Sequence, residues 1–288
     1  MEFFNEARKK FASPEKLFYL SDDGHYYAYW PKSYKGTKST LQSRNSLIGN
    51  FTEKFSADLL REFADLKGWH VVQGVVCESI GLTNRSPADI AICKSPGTHQ
   101  NAEDIFAIFE VKMSIVWNWE LISSDENETL RCLGDYRTHQ GNPGLLRSDS
   151  MLKAIGKSIN IRVSHYYGSH IPIIILGNTP ITNSYVQKVD HLKGTGVIQG
   201  FWSLNPSPID NNENYIDNTP QEGFICIKSA KYLNNLLESL LSQRKEYFSG
   251  MITKSQLGRI VQEANLENEL EKKGEKFLLL LRNSHEKN

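Results

Sequence analysis

The stretch Ile105-Phe-Ala-Ile-Phe-Glu-Val-Lys112 has the apolar composition of a strand covered on both faces, yet it ends in a carboxylate and an ammonium. Ionised groups in such a strand are costly to bury unless they pair with one another or hold a metal ion. Side chains two apart on a strand share a face, so Glu110 and Lys112 project together while Phe109, Val111 and Met113 project the other way. A shared polar pocket at this strand end is the reading that follows, with the solvent end of an edge strand as its alternative.

A second acid stands upstream in Ser86-Pro-Ala-Asp89-Ile-Ala-Ile92, where a turn-like segment opens another short apolar strand. Between the two runs, Lys94 to Asp104 is polar and contains Pro96-Gly97, as a hairpin loop would. Such a hairpin brings Asp89 beside Glu110. Two converging carboxylates make a hard-oxygen site suited to Mg2+, which keeps several waters and needs few protein ligands. The lysine beside them can orient a water or neutralise developing phosphate charge.

Further elements are legible around this pair. A helix is expected from Asn50 to Lys67, with Phe51, Phe55, Leu59, Phe63 and Leu66 at helical spacing, Asn50 as N-cap with Glu53 three residues on, and Gly68 at its end. Strands are expected at Trp69–Val76, Ile171–Leu176, Gly196–Leu204 and Gly223–Ile227. A helix is expected over Ser148–His165 with Met151, Ala154, Ile155, Ile159 and Val163 inward. The C-terminal part from Ser229 reads as helices broken near Gly250 and Gly274, with a leucine stripe from Leu233 to Leu241.

With Asp89 on the first strand of the hairpin and Glu110-Val111-Lys112 on the second, the chain resembles the PD-(D/E)xK nuclease superfamily, and among its members the type II restriction endonucleases. Asp89 matches the first acid of the motif and Glu110-Val111-Lys112 its D/E-x-K element; the proline stands at Pro87, so the first half reads P-x-D. The resemblance spans roughly Asn50 to Leu176. It implies an α/β fold, a restriction-endonuclease-like mixed central sheet flanked by helices, here with an N-terminal extension and C-terminal helices. It also implies that Mg2+ is held by Asp89, Glu110 and the backbone carbonyl of Val111, with Lys112 attending the attacking water. Many members carry a glutamate on the first helix that reaches the metal; Glu53 fits that place, with Glu62 as its rival and a capping-box role as the alternative for Glu53.

The chain has 33 Lys and Arg against 33 Asp and Glu, so any surface for a polyanion must come from local segregation of charge. Pro31 to Asn50 carries Lys32, Lys35, Lys38 and Arg44 without an acid and reads either as a DNA-contacting arm or as a solvated linker. Arg131 to His170 has basic residues in excess, and its loop Asp135–Gly144 offers the forked donors and amides that read base edges. The expected DNA contacts are Lys35, Lys38, Arg44, Arg137, His139, Gln140, Asn142, Arg147, Lys153 and Lys157. The lysines on the helix have the wet face of that helix as their alternative. The expected division is 1–47 as extension, 48–228 as nuclease core and 229–288 as a helical region.

The four cysteines lack metal-binding spacing and read as buried thiols of a reducing compartment, and no apolar span suggests a membrane helix, so a cytoplasmic protein is expected. Signatures of zinc proteases, serine hydrolases, P-loops and dinucleotide folds are missing. The resemblance implies a Mg2+-dependent endonuclease that cuts double-stranded DNA to leave 5′-phosphate and 3′-hydroxyl ends, acts as a homodimer and is accompanied by a cognate DNA methyltransferase. Alternatives are another nuclease of the superfamily (a Holliday-junction resolvase, a repair or transposon-end nuclease) or a non-catalytic DNA-binding module of the same fold.

Overall fold

Strands as apolar as Ile105–Lys112 need cover on both faces, and the computed structural model provides it as a six-stranded mixed sheet flanked by helices. The structure describes residues 2–10, 13–123, 128–138, 140–204, 216–242 and 253–286. In chain order these form α1 (Glu2–Lys10), α2 (Pro14–Leu17), β1 (Tyr19–Leu20), β2 (Tyr26–Tyr27), α3 (Gln42–Leu66), β3 (His70–Val75), β4 (Ala88–Cys93) and β5 (Ile105–Lys112). There follow β6 (Asn118–Ser123), β7 (Glu128–Gly134), α4 (Ser148–Ser164), β8 (Ile173–Gly177), α5 (Val186–Gly194), β9 (Gly200–Leu204), β10 (Phe224–Ile227), α6 (Ala230–Leu241), α7 (Lys254–Ala264) and α8 (Leu270–Glu286). The main sheet runs β10-β9-β8-β5-β4-β3, antiparallel from β3 to β5 and parallel from β5 to β10.

The period-2 alternation of each strand splits the core in two. Ile108, Ile173, Ile175 and Phe201 pack with Met151, Ala154 and Ile161 of α4. Phe109, Val111, Ile174, Leu176 and Trp202 pack with Ala57, Leu60 and Phe63 of α3 and with Leu233, Leu237 and Leu240 of α6. The leucine stripe of α6 thus covers the sheet, and the compact unit runs from Met1 to Tyr247, with residues 248–288 as a second unit containing α7 and α8. The expected divisions do not coincide with these units: 47/48 falls inside α3, and α6, which follows residue 229, packs on the sheet as part of the first unit. Gly274 does not break a helix either, since α8 continues through it.

The largest departure is at the N-terminus, expected to be a peripheral extension. Its strands β1 and β2 join β6 and β7 in an antiparallel four-stranded sheet, and Phe3, Phe4, Leu17, Phe18, Ile48 and Leu121 form a third core cluster beside it. Helix α3 serves both cores, which explains its 25 residues instead of the shorter helix expected from Asn50. Its inward stripe is also rotated from the expected one: Phe55 and Leu66 are exposed, while Ser56, Ala57 and Ala64 are buried. Small side chains let a helix approach a flat sheet closely, and the bulky ones turn outward.

Helix α4 is rotated in the same sense. Ile159 and Val163 are exposed, and the inward places go to Ala154, Ser158, Ile161 and Arg162. Arg162 donates to the carbonyls of Gly196 at 3.1 Å, Ile171 at 2.7 Å and Gly168, and to Gln199 Oε1 at 2.7 Å. A guanidinium so satisfied is stable inside and sets the roll of the helix. The roll carries Lys157, one turn from both Ala154 and Ile161, toward the sheet.

Candidate active site

The expected hairpin forms. Strands β4 and β5 pair antiparallel with Ile90 opposite Phe109, and one step further along that register Asp89 faces Glu110. Asp89 Oδ2 accepts the Val111 N–H at 2.8 Å, which holds the first acid against the motif strand. Lys112 Nζ lies 2.6 Å from Glu110 Oε1 and 3.5 Å from Asp89 Oδ2. A second lysine completes the cluster: Lys157 Nζ, from α4, lies 2.6 Å from Glu110 Oε2 and 3.4 Å from Asp89 Oδ1. The side chains are 9 % exposed for Glu110 and 18 % for the other three, so the cluster is mostly desolvated without being sealed.

This arrangement answers the problem posed by charges in an apolar strand. Each carboxylate has an ammonium on either side, and the formal charges of the four groups cancel. Burial pulls the Lys112 ammonium toward deprotonation, but the combined attraction of Glu110 and Asp89 outweighs it and raises the pKa above that of an ordinary lysine. Lys112 therefore stays protonated at neutral pH.

Glu53 approaches from the opposite face. On α3 it shares the stripe of Ala57, Leu60 and Ala64, at helical spacings of 4, 7 and 11, which faces the sheet. Asn50 lies inside α3, so the capping-box role does not apply, and the rival Glu62 is exposed. Burial, reinforced by the like charges of Asp89 and Glu110, raises the Glu53 carboxyl to about 7. A carboxyl that binds its proton more tightly when folded loses stability as pH rises from its unfolded value near 4.5 through about 7. In metal-free protein, Glu53→Gln is expected to flatten this decline and to be more stable than the parent at pH 8 by about 1–2 kcal/mol, the shift being discounted for partial solvent screening. Urea unfolding between pH 5 and 8 in the presence of a chelator measures it; parallel curves for parent and variant would contradict the assignment.

The expected DNA-contacting residues scatter. Lys35 and Lys38 are exposed on the loop before α3, and Lys153 is exposed on α4, 3.1 Å from Asp149. Arg44 is no surface contact: it is 1 % exposed, inside the N-terminal core, where its guanidinium donates to the carbonyls of Leu17 and Ala28. Arg137 is tied to Asp135 at 2.7 Å, and the Gln140 amide donates to Pro31 O at 2.8 Å and Tyr34 O at 2.9 Å, fastening the loop Asp135–Gly144 to the N-terminal segment. Asn142 and Arg147 are exposed, while His139 lies outside the described residues. The basic excess of Arg131–His170 is largely absorbed, since Arg131 pairs with buried Glu120 and Arg162 is interior. Lys157 was legible only as a phosphate contact; its place in the cluster depends on the roll of α4, for which the inward Arg162 leaves no apolar signal.

The donor set Asp89, Glu110 and the Val111 carbonyl is all hard oxygen, and Lys112 Nζ lies 3.2 Å from that carbonyl, on the same side as the acids. Among the described residues no three His, Cys, Asp or Glu side chains converge as a metal cage. An ion that keeps most of its waters is the kind this set suits. Cys77, Cys93 and Cys226 are buried as expected, but Cys132, on β7, is exposed. None of the described helices is long and apolar enough to cross a membrane. Comparison with family models, curated proteins and solved structures returns no match to this chain.

Proposed function

We propose that this chain is a Mg2+-dependent endodeoxyribonuclease of the PD-(D/E)xK type, acting as a type II restriction enzyme on double-stranded DNA. One observation carries this reading: Asp89 and Glu110 face each other across a hairpin, with Lys112 on the same side of the strand. The order α3, β3, β4, β5, α4, β8, with the β6–β7 pair of the second sheet inserted between β5 and α4, supports a restriction-endonuclease-like core.

Asp89, Glu110 and the Val111 carbonyl would hold the ion. Bound Mg2+ supplies Lewis acidity toward a phosphoryl oxygen and makes its own water more acidic. Lys112 Nζ, protonated and anchored on Glu110, orients the attacking water and offsets charge on the phosphate. Lys157 Nζ adds a second positive charge beside the same acids. Glu53, on the sheet-facing stripe of α3, would add a further carboxylate at the edge of the cluster. The products expected are 5′-phosphate and 3′-hydroxyl ends. A homodimer would place two such sites on the two strands of a palindrome, with a cognate methyltransferase protecting host sites.

Purified protein incubated with phage DNA and Mg2+, followed by sequencing of the ends, tests the proposal. Discrete fragments with one shared end sequence are expected. Structure-selective cutting of branched DNA would favour a resolvase instead, and binding without cutting would leave only a DNA-binding module.

A further inference from the structure

Beside the Asp89–Glu110 cluster lies a cavity of about 410 Å³, bounded by the end of the motif strand, the N-terminal segment and the loop before α4. That volume falls within the range of about 300–1,000 Å³ usual for ligand pockets. Lys112 is shared between cavity and cluster, whereas Asp89, Glu110 and Lys157 do not line the cavity. Its lining includes Lys112, Arg44 and Arg147 and, among the described residues, no acid, although just outside it Arg147 lies 3.4 Å from Asp149 and Lys112 2.6 Å from Glu110, so that Arg44 is the lining cation with no carboxylate beside it.

Arg44 is the unusual group. It is 1 % exposed, and the charged or ionisable neighbours that influence it are Tyr19 and Tyr29, not a carboxylate. Its guanidinium lies 4.5 Å from the Tyr19 ring centroid and 5.0 Å from that of Tyr29. Trp30 stacks on Tyr19 at 5.0 Å and on Tyr34 at 4.5 Å, so a column of rings and one cation backs the cavity. Trp30 lines the cavity with its ring already stacked on these two neighbours. Arg44 Nε and Trp30 Nε1 are both buried donors without an acceptor among the described residues. A buried cation without a counter-charge and two unmet donors are costly, and an anionic acceptor in the cavity would meet all three demands.

We propose that this cavity is a phosphate-ester subsite that takes a nucleotide adjoining the one cut at the Asp89–Glu110 cluster. The assignment rests on the nuclease reading for its neighbour, but the pocket chemistry stands apart from catalysis. The phosphate meets Arg44, Arg147 and Lys112, the Trp30 N–H donates to a further acceptor of the nucleotide, and the remaining volume holds sugar and base. The phosphate can belong to an internal position of a strand or to a 5′ end.

Binding is measured on the full chain with a chelator present, so that no cleavage intervenes, by calorimetry and by tryptophan fluorescence. The probes are inorganic phosphate, the four deoxynucleoside monophosphates, and a short duplex with and without 5′-phosphates. Mononucleotides are expected to bind more tightly than inorganic phosphate and to change the fluorescence. Trp30→Phe, which keeps an aromatic ring and removes the N–H, and Arg147→Gln, at an exposed position, are each expected to weaken mononucleotide and duplex binding about tenfold, roughly the loss of one good charged or buried hydrogen bond. Tighter binding of the 5′-phosphorylated duplex identifies a strand end, and equal binding an internal phosphate; both support the subsite. Mononucleotides binding no better than inorganic phosphate, or variants binding like the parent, would overturn it. Nucleotide binding without any DNA cleavage would sink the nuclease reading alone, and cleavage with unaltered binding in both variants would sink the subsite alone.

Discussion

Lys112→Ala is expected to lower DNA cleavage by about 10²–10⁴-fold, the range for losing a positioned proton-transfer or charge-stabilising group, while the protein stays folded. The geometry explains why the fold should survive. Glu110 keeps Lys157 at 2.6 Å after the substitution, and Asp89 keeps the Val111 N–H at 2.8 Å, so neither acid is left without a partner. Specific DNA binding in a chelator should weaken far less than cleavage, because Lys112 is one of several cations near the groove. Lys112→Arg is not expected to rescue, since a planar guanidinium does not occupy the place of a compact ammonium held 2.6 Å from Glu110. Gel-shift and cleavage assays on the same preparations decide the matter, and cleavage at the parental rate would reject the assigned site.

Glu110→Gln is the substitution expected to damage stability most. Glu110 is the shared partner of Lys112 and Lys157, each 2.6 Å away, and its side chain is 9 % exposed. Gln fills the same space but leaves two mostly desolvated ammoniums with only Asp89 between them. Breaking a buried ion pair from one side costs about 3–5 kcal/mol, chiefly because the abandoned charge stays buried. Lys157→Met alone should cost much less, since Lys112 still neutralises Glu110. The double variant Glu110→Gln/Lys157→Met should therefore recover a good part of the loss, a coupling of about 1–3 kcal/mol between neighbours that share a partner. Urea denaturation of the parent, both single variants and the double variant provides the cycle. Additive losses would mean that Lys157 does not depend on Glu110.

The parts of the molecule that could be read in advance are those governed by neighbours in the chain. The strand Ala88–Cys93, the polar loop and the strand Ile105–Lys112 form one local hairpin, so their alternation alone aligns Asp89 with Glu110. The parts that could not be read are governed by packing. Helix α3 begins eight residues before Asn50, and the added turns carry Leu47 and Ile48 into a core shared with Phe3, Phe4, Leu17, Phe18 and Leu121, a contact that no local pattern announces. Arg44 looked like a surface cation in a basic segment, yet the carbonyls of Leu17 and Ala28 and the rings of Tyr19 and Tyr29 draw it inside. Glu53 had two equal readings until the longer helix removed its capping role.

From the sequence alone came the chemistry of the hairpin: two acids and a lysine whose burial calls for pairing or a metal ion, because ionised groups on an apolar strand are otherwise costly to desolvate. Tertiary structure alone decided that Lys157 would join them and that the N-terminal segment would close a cationic cavity beside them. Both depend on how a helix rolls and which segments meet over long separations. Those choices follow from the filling of a shared core by groups far apart in the chain, and the alternation of residues along one strand carries no record of them.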